Sequence, residues 1–190
     1  MAGWAANSPA GKTKADKSSV PGKNNVQACA LLNSTDVQGV QGEPVKEIKP
    51  SSPPGGGMLL SQCLFRTSNS VKSVTLLLAA PDPANTAALT PRKFWQRQFH
   101  PEQPKQPGGG EEAKKSEPEE EQETPGPRAI SGIGEEAYWV GDPRTGALYV
   151  LDGELYLRFS VGGVREESAR LEKTKALARA ALKHLPLQKH

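Results

Sequence analysis

The sequence has little of what most active sites and membrane spans are built from. Its 190 residues include three histidines, two cysteines, three Trp, three Tyr and four Phe, and only 35% are hydrophobic. No apolar run approaches the ~20 residues needed to cross a bilayer as a helix. His100, His184 and His190 stand in no HExxH-like spacing, and two remote cysteines cannot complete a zinc tetrahedron. No GxSxG elbow supports a Ser/His/Asp arrangement through His100 or His184. The net charge is only +3, without a basic stripe interleaved with aromatics, which argues against nucleic acid as a partner. No metal, cofactor or catalytic residue is therefore assigned from the sequence.

Glycine and proline are abundant, at 19 and 17 residues, and they concentrate with the charges in two blocks. Residues 1–25 hold Lys12, Lys14, Lys17 and Lys23 against the single acid Asp16. Residues 104–127 hold seven acids, three lysines and five prolines. Neither block has the apolar surface to offset the entropy of ordering it. The first reads as a disordered basic tail and the second as a disordered, acidic, Pro/Gly-rich insertion. The insertion interrupts one α+β domain over 26–187, because each remaining piece alone would leave apolar faces exposed.

Local signals suggest three helices and about five antiparallel strands. Asn33 is a helix N-cap with Asp36 three residues on, and Gly42 with Pro44 stops that helix. Strands follow over 60–67 and 71–79. Thr90-Pro91 caps a second helix that carries Phe94, Trp95 and Phe99. Downstream, 137–140, 147–151 and 155–161 read as a meander, with Asp152-Gly153 as a two-residue hairpin turn needing positive φ at both positions. In its last strand Leu155, Leu157, Phe159 and Val161 line one face, and Tyr156, Arg158 and Ser160 the other. A final helix over 165–185 carries Leu171, Thr174, Ala178, Ala181, Leu182 and Leu185 as its apolar stripe.

Cys29 and Cys63 are too far apart for a CxxC redox pair. The residues alone leave a helix-to-sheet bridge and two buried thiols equally open. The segment Ala28-Cys29-Ala30-Leu31-Leu32-Asn33-Ser34-Thr35-Asp36-Val37, then Gly42-Glu43-Pro44-Val45, resembles the opening of a group of small secreted or lipid-anchored bacterial proteins of uncharacterised function. They begin Cys-x-Leu-Leu-Thr and place a second cysteine in the first strand, as Gln62-Cys63-Leu64-Phe65 does. Ile130-Ser131-Gly132-Ile133-Gly134-Glu135-Glu136-Ala137 and the Ala176–Leu182 helix extend the likeness over about 26–80 and 128–187. The resemblance implies a Cys29–Cys63 disulfide and an extracytoplasmic, periplasmic or secreted, location. It brings no active site with it. Met1–Pro9 itself shows no basic n-region followed by an apolar stretch of about 7–15 residues, so no signal peptide is visible.

Gly132-x-Gly134-x-x-Ala137 has the spacing of a dinucleotide loop. However, Pro125-Gly126-Pro127 precedes it and a Tyr-Trp-Val strand follows, so it reads as a turn into that strand. The aromatics Trp95, Phe99, Tyr138 and Trp139 make a candidate recognition surface. The carboxylates Glu135, Glu136, Asp142, Asp152 and Glu154 gather in the C-terminal meander, where turn solvation is the commoner role. The expected function is a non-enzymatic extracytoplasmic binding or interaction module, its partner an unidentified protein or envelope component. The alternative is a small hydrolase using carboxylates of the 135–154 meander, and a purely structural envelope component is a third reading.

Overall fold

The computed structural model describes residues 26–85, 89–101 and 126–185. The disordered tail expected over 1–25 lies outside them, as does the expected insertion apart from Gly126 and Pro127 at its end. Chain order is α1 (Ser34–Gln41), β1 (Val45–Ser51), β2 (Met58–Thr67), β3 (Val74–Pro81), α2 (Pro91–Phe99), β4 (Arg128–Ala129), β5 (Glu136–Gly141), β6 (Gly146–Asp152), β7 (Leu155–Val161) and α3 (Glu167–Leu182). The α+β class, the three helices and the antiparallel pairing agree with the sequence reading. The sheet has seven strands rather than about five, in the order β1-β2-β3-β7-β6-β5-β4. β1 is the polar run VKEIKPS, rich in residues depleted from strands, and β4 has two residues; pairing with β2 and β5 makes them strands.

Two meanders thus meet at the centre of one sheet, where β3 lies antiparallel to β7 from Val74↔Val161 to Ala79↔Tyr156. Alternation along the strands divides the side chains between two faces. On the first face Cys63, Phe65, Leu76, Leu78, Leu148, Val150, Leu157 and Phe159 form the main core under α1 and α3, with Val37, Leu177, Ala178 and Ala181 packed onto them. On the second face Ala79, Leu151 and Tyr156 pack with Trp95 of α2. Cys29 and Cys63 are joined by a disulfide that ties the turn before α1 to the middle of β2. Among the described residues no helix is long and apolar enough to cross a membrane.

The end signals of the first two helices act as the sequence indicates. Asn33 and Asp36 form a reciprocal capping box, and Gly42 closes α1 at φ 71°. The Thr90 side chain accepts from the Lys93 backbone N–H at 3.2 Å, with Pro91 in the first turn. The β6–β7 hairpin differs by one residue. Asp152 pairs with Leu155, so Gly153 and Glu154 are the central pair, and only Gly153 has positive φ, at 59°. Glycine at the first central position is the demand of a type II′ turn. In α3 the buried positions are Arg170, Thr174, Leu177, Ala178 and Ala181. The buried face therefore includes Arg170 and Leu177, outside the expected stripe, while Leu171, Leu182 and Leu185 are only half-buried. Gly132 and Gly134, at φ 75° and 59°, turn the chain into β5 rather than cradle a phosphate.

Candidate functional site

The second face of the sheet changes character along its strands. Towards one end it carries Leu77 and Ala79 of β3, Tyr156 of β7, Leu151 of β6 and Tyr138 of β5, and α2 covers them. Towards the other end the same face presents Ser73 and Thr75, Arg158 and Ser160, Ala147 and Val140, with no helix above them among the described residues, and Tyr149, which Phe99 of α2 meets edge-on, marks the border. α2 has only nine residues, so its axis spans about 13 Å and cannot roof the whole face.

The covered half is held by aromatics and by acid–base contacts that close on themselves. Trp95 is completely buried, and Phe99 stacks on Tyr138 with ring centroids 4.6 Å apart and planes 4° from parallel. The Trp95 indole N–H donates to Glu136 Oε2 at 2.9 Å, and His100 Nε2 lies 2.7 Å from the same oxygen. The Trp95 bond first, and then the His100 bond, hold the Glu136 carboxyl below its ordinary range. Arg92, from the first turn of α2, reaches Glu135 at 2.6 Å, Glu154 at 3.2 Å and the Gly153 carbonyl at 2.8 Å. These bonds, led by the one to Glu135, raise the Arg92 pKa. Glu135 also accepts from the Gly153 N–H at 3.1 Å. Three carboxylates of the C-terminal meander are therefore clasps between α2 and the strand ends.

Asp142 serves its own turn. Its side chain accepts from the backbone N–H groups of Arg144 and Thr145, at 2.6 and 2.7 Å, and from the Thr145 hydroxyl at 3.0 Å. The two backbone bonds, Thr145 first, lower its pKa. Asp152 ends β6 at the hairpin. The five carboxylates thus occupy three separate places. His184 does not meet them; its Nδ1 lies 3.1 Å from the Leu31 carbonyl on the first face. The four aromatics proposed as a surface do not share one either. Trp95 is buried beneath α2, Phe99 and Tyr138 are half-buried beside it, and Trp139 is buried on the first face. There Trp139 donates to Glu167 at 2.8 Å. Its indole lies where a side chain on Gly146 would stand, 2.3 Å from an added Cβ, which explains that glycine.

The uncovered half is the floor of an open groove of about 770 Å³. Thr75 and Ser160 face each other across the central strand pair, and Arg158 lies between Leu77 and Tyr149 in register. Arg158 Nε donates to the Tyr149 hydroxyl at 3.1 Å, with the guanidinium carbon 5.6 Å from that ring's centroid. Its two terminal nitrogens, and the hydroxyls of Thr75 and Ser160, have no hydrogen-bond partner among the described residues. The turn at 142–145 and the link at 162–164 form the rim, and Val71, 66% exposed, lies against Gly162 and Gly163 of that link.

Arg170 fixes that rim. It is 2% exposed and forms no ion pair among the described residues. Its Nη2 donates to the Asp142 carbonyl at 2.6 Å. Its Nη1 donates to the carbonyls of Pro143, Arg144, Val164 and Arg165 at 3.0 to 3.2 Å. A buried cation surrounded by carbonyls ties the β5–β6 turn to the start of α3. Only its Nε lacks a partner. Among the described residues, Arg144, Arg158 and Arg170 thus line the groove against one carboxylate, Asp142, which its own turn occupies.

Among the described residues, no three His, Cys, Asp or Glu side chains gather as a metal site. Sequence reasoning placed Thr75 and Arg158 on the faces of their strands opposite the apolar alternation but did not single them out, and it missed Arg92 and Arg170 altogether. The available signal was the helical spacing of Arg170 with Thr174 and Leu177, which puts an arginine on the buried stripe. No family model matches the chain, and no curated protein or solved structure matches it either.

Proposed function

We propose that the chain is a non-enzymatic binding module that acts outside the cytoplasm, secreted or periplasmic, through the groove on the uncovered half of the sheet. The observation carrying this reading is the unused hydrogen-bonding capacity of the groove floor: Arg158, Thr75 and Ser160 converge on open space with donors unpaired within the described residues. Binding sites characteristically offer a few convergent polar groups on an otherwise apolar lining. The Cys29–Cys63 bridge supports the location, because structural disulfides persist in oxidising compartments and are rare in reducing ones.

A small hydrolase is the second reading, favoured by the 2.7 Å contact between His100 and Glu136. Against it, neither side chain bonds to a hydroxyl or thiol nucleophile among the described residues, and Trp95 shares the same carboxylate oxygen. A photo-crosslinking residue at position 160, compared with one at the exposed position 172, tests the binding reading in intact cells followed by compartment separation. Adducts specific to position 160 in an extracytoplasmic fraction are expected. Turnover of ester, amide or glycoside substrates that disappears in a folded Glu136→Gln variant would overturn it.

A further inference from the structure

Resting on that reading of the groove, we propose that its occupant is a short peptide segment carrying acidic side chains among aliphatic ones, one carboxylate seated on Arg158. Among the described residues, Arg144 and Arg158 line the groove beside the buried Arg170, and the one acid there, Asp142, already accepts three bonds from its own turn. An entering carboxylate would therefore meet Arg158, with Arg144 nearby, without a competing anion among the described residues. Arg158 is prepared for it: Nε is held by the Tyr149 hydroxyl and the guanidinium lies against that ring. The two terminal nitrogens remain for a planar, two-point contact with an oxyanion. Thr75 and Ser160, two register positions from Arg158 on the same face, add hydroxyl donors beside it.

The lining also selects among anions. Tyr149 has Arg158 over its ring, so it offers no free platform for stacking a base or a sugar. Among these polar groups the lining also carries aliphatic side chains, Val71 prominently exposed and Val140, Val161 and Ala147 nearby. Guanidinium and hydroxyl groups bounded by valines match a peptide that alternates acidic and aliphatic residues. They match a nucleic acid or a bare phosphate less well.

Fluorescence anisotropy of a labelled Glu-Val-Glu-Val-Glu peptide with the full chain tests this, with a Gln-Val-Gln-Val-Gln peptide as comparison and inorganic phosphate as competitor. The acidic peptide is expected to bind at least tenfold more tightly than the neutral one and to weaken with salt. Arg158→Gln should reduce its affinity tenfold or more, and Arg158→Lys by less, while Lys49→Gln on the distant strand β1 should leave it unchanged. Equal binding of both peptides, insensitivity to Arg158→Gln in a variant with an unchanged melting temperature, or displacement by phosphate at equal concentration would overturn the proposal. Binding that emerged only after the seven acids between Glu111 and Glu123 were changed to glutamine would assign the groove to the chain itself and also overturn it. If position 160 still crosslinks a partner while the acidic peptide fails, the binding reading stands and only the ligand class falls.

Discussion

One face of one sheet carries two regions built from the same strands and put to opposite uses. Under α2, the charged groups at the strand ends have protein partners: Arg92 takes Glu135 and Glu154, and Glu136 takes Trp95 and His100. A few residues further along the same strands, the Arg158, Thr75 and Ser160 side chains stand open. The difference teaches how to rank charged clusters. Carboxylates that look catalytic in the sequence are here the fastenings of a short helix. The cation that stands out lies where the helix runs out, because desolvated polar groups must be paired while those facing water need not be.

Cutting the covered half from the open half is the strongest way to probe this contrast. Trp95→Ala should destabilise the protein by about 3–5 kcal/mol, the usual cost of deleting a fully buried large aromatic. Hydrogen exchange should then quicken in α2 while β3 and β7 near Thr75 and Ser160 keep their protection. Equal loosening of both regions would show that the two halves are not separable.

Arg170→Met attacks the other side. Removing the donor to several buried carbonyls should cost on the order of 3 kcal/mol, since hydrogen bonds to a charged group are each worth about 1.5–3 kcal/mol. Denaturant titration measures the loss, and faster exchange should be confined to the 142–145 turn and the start of α3. An unchanged midpoint would mean that water replaces the guanidinium without penalty.

The smallest effect expected is a pH dependence. Folding lowers the Glu136 pKa below its ordinary 4.5, so the unfolded chain takes up this proton first as pH falls. The stabilisation it provides is complete above about pH 4.5 and is lost as pH drops through the lower native value. Asp142 gives the groove rim the same sign through its backbone hydrogen bonds. Trp95 emission should therefore change below pH 4.5 in the native sequence, and Glu136→Gln should remove that change near α2 while leaving the rim's acid response. A Trp95 transition that survives Glu136→Gln would place its origin elsewhere.

Much of the fold could be read locally. Capping at Asn33 and Thr90, the alternation of Leu155, Leu157, Phe159 and Val161, and the glycines before β5 all act within a few residues of themselves. β1 escaped notice because Lys46, Glu47, Lys49 and Pro50 are poor strand formers, and only its register with β2 makes it one. The groove was less legible, since it depends on β3 meeting β7 from the far side of the chain and on where a nine-residue helix stops. Glu136 and His100, 36 positions apart, likewise come together only through tertiary packing. Arg170 fell outside the expected stripe because a cation among buried positions contradicts the hydrophobic pattern unless its carbonyl partners are known.

The two borders of the sheet decide how anything could approach it. At one border β1 exposes lysines, a glutamate and Pro50, which lacks the N–H that a neighbouring strand would require. At the other, β4 offers only Arg128 and Ala129. Neither border, as far as the described residues go, is a template for strand addition, so the sheet is blunted against growing sideways into another chain. The broad side of the strands differs: on the proposed binding reading, side chains rather than backbone amides would meet the visitor there.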